Sequence, residues 1–444
     1  MTTRLFVHSP SEAPDAPTVS RRMPQFEHLG ERALLLAGHG DVVCVAQAVD
    51  PAYLDFLDAL ELGPRREDIV VVEGVRPGRG LSARLIRDPD ALDRVVRRVS
   101  GSGPLVVCPF FPTADAFALG RILAERLSRD VRVEGGSPDL ALHLHDKIAA
   151  RALAVSLGIS VAPGEVVQLD PAGHGRAPDT TPLREAIRRW TSITGHVIVR
   201  GASGASGSSL FTSRSAGVDG MIEAIAARTD NTRYLVEPLF EARCSPNVEV
   251  LVEPDFPPPG QVGASEQVLD ENLVYVGSVH PCRARRLSRM VEDSLRVVAW
   301  MRGSGFTGRV GFDFVEHAGS GGDGEHFLTE INPRINGASY PLALLGRLAA
   351  LSDRRQAPAP AAFRTGYVRV RTHGYTPLVE LSRALLYDPA RGEGIVPYSV
   401  GALRLGEMGI ACLGRSTEAV EELQGEFLMA AGALPRRATS VDAA

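Results

Sequence analysis

Lysine is nearly absent from this chain: Lys147 is the one lysine among 48 basic side chains. An arginine-rich composition accounts for the scarcity but not for the exception. A compact ammonium is retained there, and a planar guanidinium is not its equivalent. A basic excess is missing as well. The formal net charge is -5, which argues against a nucleic-acid partner. No apolar run approaches the roughly 18 residues that a membrane span needs. The opening MTTRLFVHSPSEAPDAPTVSRRM has no apolar h-region, so neither membrane insertion nor secretion is expected. The five cysteines (Cys44, Cys108, Cys244, Cys282 and Cys412) are scattered, with no C-x-x-C pair. That pattern speaks against a disulfide scaffold or a zinc knuckle and fits a reducing cytoplasm. No G-x-G-x-x-G follows a strand-like run, and Gly38-His39-Gly40 is too short for a dinucleotide fingerprint.

What is present is a soluble globular composition, 44% hydrophobic and 23% charged over 444 residues, long enough for two or three domains. Residues 1–140 alternate short apolar runs (Val42–Ala46, Ile69–Val72, Leu105–Cys108) with amphipathic stretches, as a small α/β domain with a parallel sheet would. Thr113 is placed to cap the helix that follows it. Residues 141–350 hold most of the chemistry, broken by loops at Asp170–Pro182 and Pro254–Gly260. A Pro/Ala linker, DRRQAPAPAA, then leads to a smaller C-terminal unit over 363–434, with a strand at Tyr367–Arg371 and a frayed tail at 435–444.

The run GRVGFDFVEH, a Gly-rich loop and HFLTEINPR read as a long-looped hairpin. Pairing of His317 with His326 would set Asp313 directly across from Glu330. Strand alternation would put Phe312, Phe314, Phe327 and Ile331 along the core side. Two opposed carboxylates repel each other, unless a cation such as Mg²⁺ lies between them and reverses the sign. Asn332 adds a neutral carbonyl oxygen on the same face. The bland alternative is an acidic, solvated sheet face. Arg334 follows, placed for a phosphoryl or carboxylate group or for a structural ion pair.

Upstream, His145-Asp146-Lys147 opens a helix with Asp146 as its N-cap. An ammonium in a first turn is unfavourable against the helix dipole unless an anion such as phosphate joins it. Val197–Arg200 is a strand that runs into GASGASGSSLF, whose backbone N–H groups could cradle phosphates, although Gly/Ser loops are usually only loops. Tyr234–Leu239 reads as a strand broken by Pro238, either a hinge whose backbone reads adenine or an ordinary edge strand. His280, Arg283 and Arg285 form a basic turn, equally a solvated turn or a carboxylate contact.

The order of these parts resembles the ATP-grasp superfamily over about 200 residues, the D-F-x…E-x-N-P-R-x-N-G end being the most specific element. The α/β pre-domain, the EINPRINGASYP run and the C-terminal unit look most like the pheganomycin-type peptide ligases. The resemblance implies an α/β ATP-grasp fold with an N-terminal pre-ATP-grasp domain and a small C-terminal domain. It implies ATP phosphates on Lys147 and Arg200, covered by Ser206, Gly207 and Ser208. Many members carry lysine where Arg200 stands. Glu237 and Leu239 would frame adenine, and Glu241 or Asn247 would reach the ribose. Asp313, Glu330 and Asn332 would hold two Mg²⁺ ions, with Arg334 on the transferring phosphoryl group and His280 and Arg283 toward the acyl donor. The implied activity is a cytoplasmic ligase that joins a small amino-acid-like acyl donor to a peptide or amino-acid acceptor through an acyl phosphate. Coupling to a non-peptide amine, a non-catalytic ATP-binding protein and a homodimeric assembly stay open.

Overall fold

The computed structural model describes residues 2–16, 24–72, 80–99, 101, 103–169, 179–204, 209–227, 231–253, 262–318 and 324–435, with the side chains of 24–27 and 215–216 excepted. The expectations for Ser206, Gly207, Ser208, the loop tips at 170–178 and 254–261 and the tail beyond 435 lie outside the described residues.

The first sheet is built from strands β1 (Thr3–Val7), β2 (Val42–Val45), β3 (Ile69–Val71), β4 (Leu105–Pro109) and β5 (Val131–Val133) in the order β3-β2-β1-β4-β5. All pairings are parallel. Continuous apolar runs such as Val42–Val45 are buried throughout because helices cover both faces. Thr113 caps the helix Ala114–Leu127, its hydroxyl accepting from the Ala116 N–H at 3.1 Å. In such an open sheet ligands favour the carboxyl ends of the strands where the order reverses, here between β1 and β4. Phe110, just past β4, lines the cavity described below.

The second sheet is small and antiparallel: β6 (Glu165–Gln168), β7 (Val197–Gly201), β8 (Leu210–Thr212) and β9 (Arg233–Pro238), in the order β6-β9-β7-β8. The helix Thr181–Thr194 backs it through Leu183, Ala186 and Ile187.

The third sheet has ten strands among the described residues. They are β10 (Ala242–Cys244), β11 (Pro246–Val252), β12 (Val262–Leu269), β13 (Tyr275–His280), β14 (Gly308–His317), β15 (Glu325–Asn332), β16 (Ala362–Arg369), β17 (Gly394–Tyr398), β18 (Glu407–Gly414) and β19 (Leu434–Pro435). The main path runs β10-β14-β11-β12-β13-β16-β18-β17, with β15 on β14 and β19 on β16. The helix Leu287–Gly303 seals one face against Val248, Val250, Phe312 and Phe314.

Two expectations change here. The strand expected at Tyr367–Arg371 begins at Ala362 and ends at Arg369, and it pairs with β13 through Val279–Arg364 and His280–Phe363. The C-terminal strands therefore extend the sheet that carries Asp313, because β13 offers an open edge that backbone hydrogen bonding must satisfy. The hairpin register also differs. His317 pairs with Glu325, and Glu316 with His326, yet Asp313 still faces Glu330. A bulge between the Asp313 and Phe314 rungs absorbs the one-residue slip, leaving Thr329 as the extra residue. The bulge flips the outer part of β15, so Leu328 joins the core with Phe314 while Phe327 lines the cavity.

The N-terminal and C-terminal parts share one core. The turn-rich run Pro24–Leu35 contributes Leu29, Ala33, Leu34 and Leu35 to a cluster with Ile395, Val396, Ile410 and Phe427. Glu31 accepts from the Val400 N–H at 2.6 Å and the Gly401 N–H at 3.0 Å. A chain ending at residue 361 would bare the β13 edge and this apolar face. Such a fragment is expected to aggregate, eluting in the void volume on gel filtration, whereas the full chain elutes as a compact species.

Candidate active site

A cavity of about 320 Å³ opens between the small sheet and the ten-stranded sheet, with Arg32 and Phe110 of the N-terminal part closing one end. Lys147 reaches it because Asp146 starts the helix Lys147–Ser156 at that point. One Asp146 oxygen accepts from the Ile148 N–H at 2.9 Å and the Ala149 N–H at 3.0 Å. The Lys147 ammonium donates to the Gly204 carbonyl at 2.6 Å and lies 3.4 Å from Glu330.

Arg200 and Glu237 sit on neighbouring strands, with Ile198 opposite Glu237 and Arg200 opposite Leu235. Glu237 frames no ring with its side chain. Its carboxylate is buried, accepting from Arg200 Nε at 3.0 Å and from Arg151 Nη1 at 2.9 Å. Arg200 also donates to the Thr329 carbonyl at 2.7 Å, an acceptor the bulge leaves out of the ladder. Arg151 was not anticipated, although it lies one helical turn after Lys147, the spacing that puts two side chains on one face. The Arg–Glu–Arg group carries one net positive charge beside the cavity.

At Asp313 three strands meet. Asn247 of β11 is its rung partner on one side and Glu330 on the other. Asn247 Nδ2 donates to Asp313 Oδ1 at 2.6 Å, and Asn332 Nδ2 donates to Oδ2 at 2.9 Å. Asn247 thus sits beside the acidic pair, in the lining of the cavity. Burial first, and then repulsion from Glu330, push the Asp313 carboxyl up to about 6. The donor set suits a hard cation: two facing carboxylates whose repulsion it would relieve, and Asn247 Oδ1 buried without a partner. Among the described residues no three His, Cys, Asp or Glu side chains cluster as a metal site, so amides and ligand oxygens would complete the coordination.

The other expected positions divide. Leu239 lines the cavity, but its N–H already donates to the His196 carbonyl at 2.9 Å, so it offers no backbone donor to a ring. Phe240 stacks on His317 at 4.6 Å and contacts Phe327, forming an aromatic wall that the sequence reading passed over. Arg334 lines the cavity, with its guanidinium 5.3 Å from the Phe110 ring centre and its Nε buried and unpartnered. Glu241 is exposed and lies 3.9 Å from Arg214, outside the lining. His280 and Arg283 are also outside it. The His280 ring bonds to the Ala264 carbonyl through Nδ1 at 2.8 Å and stacks on Phe363, while Arg283 lies 3.5 Å from Glu266. Arg283 and Arg285 are exposed, so the basic turn is largely a solvated one, outside the cavity lining.

With this geometry in view, the family comparisons have a structural counterpart. A pre-ATP-grasp domain matches residues 30–124, and an ATP-grasp domain matches residues 180–338. The chain belongs to the ATP-grasp superfamily. Among solved structures it is similar to an N5-carboxyaminoimidazole ribonucleotide synthetase in its ADP complex, at 13% identity and a TM-score of 0.55, covering 96% of this chain and 95% of that one. The Aspergillus clavatus carboxyaminoimidazole ribonucleotide synthase complexed with ATP is 15% identical, with a TM-score of 0.53 and coverage of 97% and 98%. The Campylobacter jejuni biotin carboxylase is 12% identical, with a TM-score of 0.55 and coverage of 98% and 92%. At these identities the likeness establishes the fold. No curated protein matches the sequence.

Two outcomes test the electrostatics. Glu237→Gln leaves the buried Arg200 and the half-buried Arg151 without their shared anion and should lower unfolding free energy by about 3 kcal/mol in urea titrations. In metal-free protein the folded Asp313 binds its proton more tightly than the unfolded chain does. Its contribution to stability therefore falls as pH rises from about 4 to about 6 and stays low above that. Asp313→Asn lacks this term. Its stability relative to wild type should improve by ~2 kcal/mol between pH 4 and pH 7, whatever the constant offset, and a flat difference would contradict the assignment.

Proposed function

We propose that the protein is an ATP-dependent carboxylate–amine ligase of the cytoplasm. In this reading it activates an amino-acid-like carboxylate as an acyl phosphate and couples it to an amine, releasing ADP and phosphate. The observation that supports this is the convergence of Lys147, Arg200, Asp313 and Glu330 on one cavity between two sheets. Cations from the small sheet and from the helix Lys147–Ser156 facing acids on the large sheet are the charge pattern that a bound MgATP would need.

In this reading the aromatic wall of Phe240 and Phe327 takes the adenine, and Lys147 with the Arg200–Glu237–Arg151 group takes the phosphates. Asp313 and Glu330, with Asn332 and Asn247 beside them, would hold Mg²⁺, which would neutralise charge on the phosphate oxygens. The substrate carboxylate oxygen forms a bond to the γ-phosphorus as the bond to the ADP oxygen breaks, and Arg334 lies toward the transferred group. The amine nitrogen then bonds to the acyl carbon, inorganic phosphate leaves and the amine loses a proton. Positioning and fixed charge carry the rate, so no nucleophilic side chain is required.

The acceptor we favour is the amine of a peptide, following the pheganomycin-type resemblance. One observation favours a single amino acid or another small amine. The C-terminal strands fall within the span shared with proteins named for a ribonucleotide and for biotin, so their presence does not argue for a peptide groove.

Phosphate release from MgATP across a panel of amino acids, amines and short peptides decides between these. Release that needs both a carboxylate and an amine, yields a new amide mass and falls at least ~100-fold in Glu330→Gln supports the ligase. Dependence on a peptide amine selects the first version, and dependence on a free amino acid the second. MgATP binding without turnover under any pairing would leave a non-catalytic ATP-binding protein.

A further inference from the structure

Among the described residues, Arg32 is a buried cation with no anion of its own. It lies on the Pro24–Leu35 run, is 8% exposed and lines the cavity. Its Nε donates to the Leu29 carbonyl at 3.1 Å, and its Nη1 donates to the Tyr367 hydroxyl at 3.1 Å. The guanidinium carbon sits 4.3 Å from the centre of the Tyr340 ring. Among the described residues no carboxylate lies within 4.0 Å of it, whereas the buried Arg200 and the half-buried Arg309 each hold a glutamate. Adjacent Glu31 is turned away onto the Val400 and Gly401 N–H groups.

An arginine cannot escape this predicament by releasing its proton, as a buried lysine can. Leaving a charge in an apolar site without a counterion is costly by several kcal/mol. Tyrosine faces and hydroxyls soften the penalty but do not remove it. A second point concerns position. β13 and β16, which carry Tyr275 and Tyr367, lie three and four strands from β14 in the sheet order. At about 4.8 Å per strand that is roughly 14 to 19 Å from Asp313, beyond the reach of the nucleotide phosphates held there. Hydroxyl groups converge at this end as well: Tyr275 and Ser278 line the cavity and share a hydrogen bond at 2.8 Å.

We infer that Arg32, with the hydroxyls of Tyr367, Tyr275 and Ser278, forms a subsite for a non-reacting oxyanion, a carboxylate or a phosphate, carried by the co-substrate. The subsite rests on the ligase reading for its purpose, but not for its chemistry. It would select a donor or acceptor bearing a second acid group, and it assigns a specificity role to the N-terminal domain. A guanidinium fork suits either oxyanion in bidentate fashion.

The test measures stabilisation of the full chain at constant ionic strength by succinate, succinamide, L-alanine, L-alaninamide and inorganic phosphate, with and without MgATP. At least one of succinate, L-alanine and phosphate should raise the unfolding midpoint of the wild type, and the neutral amides should not. In Arg32→Met the apparent Kd for that probe should weaken about 10- to 100-fold, while stabilisation by MgATP is unchanged. A response to succinate or alanine alone identifies a carboxylate, and a response to phosphate alone a phosphate. If Arg32→Met does not fold, Arg32→Lys and Tyr367→Phe should each weaken the same probe. Absence of any anion response in the wild type, or an equal response in the variants, overturns the subsite. Failure of MgATP to stabilise any of the proteins would instead count against the ligase reading and leave the anion result standing.

Discussion

The site depends on the opposition of two carboxylates across adjacent strands of a buried sheet. Asp313 and Glu330 are forced together by the pairing of β14 with β15. Lys147 lies 3.4 Å from Glu330, and the two flanking asparagines donate to Asp313. Like charges held in register are a standing strain on the pair. The surrounding cations make sense as its complement. Arg200 faces it from the small sheet and Lys147 and Arg151 from the helix Lys147–Ser156, and Glu237 ties the two arginines together.

Much of this was legible because it is local. The order of apolar runs indicates the parallel sheet, Asp146 and Thr113 announce their helices, and the Asp313–Glu330 facing follows from alternation. A register with His317 opposite His326 sets the same facing, yet His317 lies opposite Glu325. A bulge at Thr329 restores the alignment, and nothing in HFLTEIN marks it, because a bulge is settled by packing on both faces. The bulge carries function as well, since it exposes the Thr329 carbonyl to Arg200.

Other parts of the site depend on pairing between distant segments. Glu237 sits in a hinge-like run and looked like a nucleotide contact until Arg151, 86 residues earlier, claimed one of its oxygens. Asn247 is drawn to Asp313 by a strand pairing that spans 66 residues. Arg32 had no motif at all, and its significance appears only when Tyr340 and Tyr367 are folded around it. His280 and Arg283 erred in the other direction. A basic turn near the right strands looks available in sequence, yet His280 bonds to Ala264 while Arg283 and Arg285 stand in solvent.

The continuity of the ten-stranded sheet has a mechanical consequence. An unbroken run of backbone pairing joins the C-terminal strands to β14, so a displacement at one end is transmitted to Asp313 instead of being absorbed. The small sheet is bonded within itself and meets the larger one through side chains and the chain following Pro238. Compliance is therefore concentrated at one seam. The ten-stranded sheet alone carries both the acids and, through Tyr275 and Tyr367, the far end of the cavity.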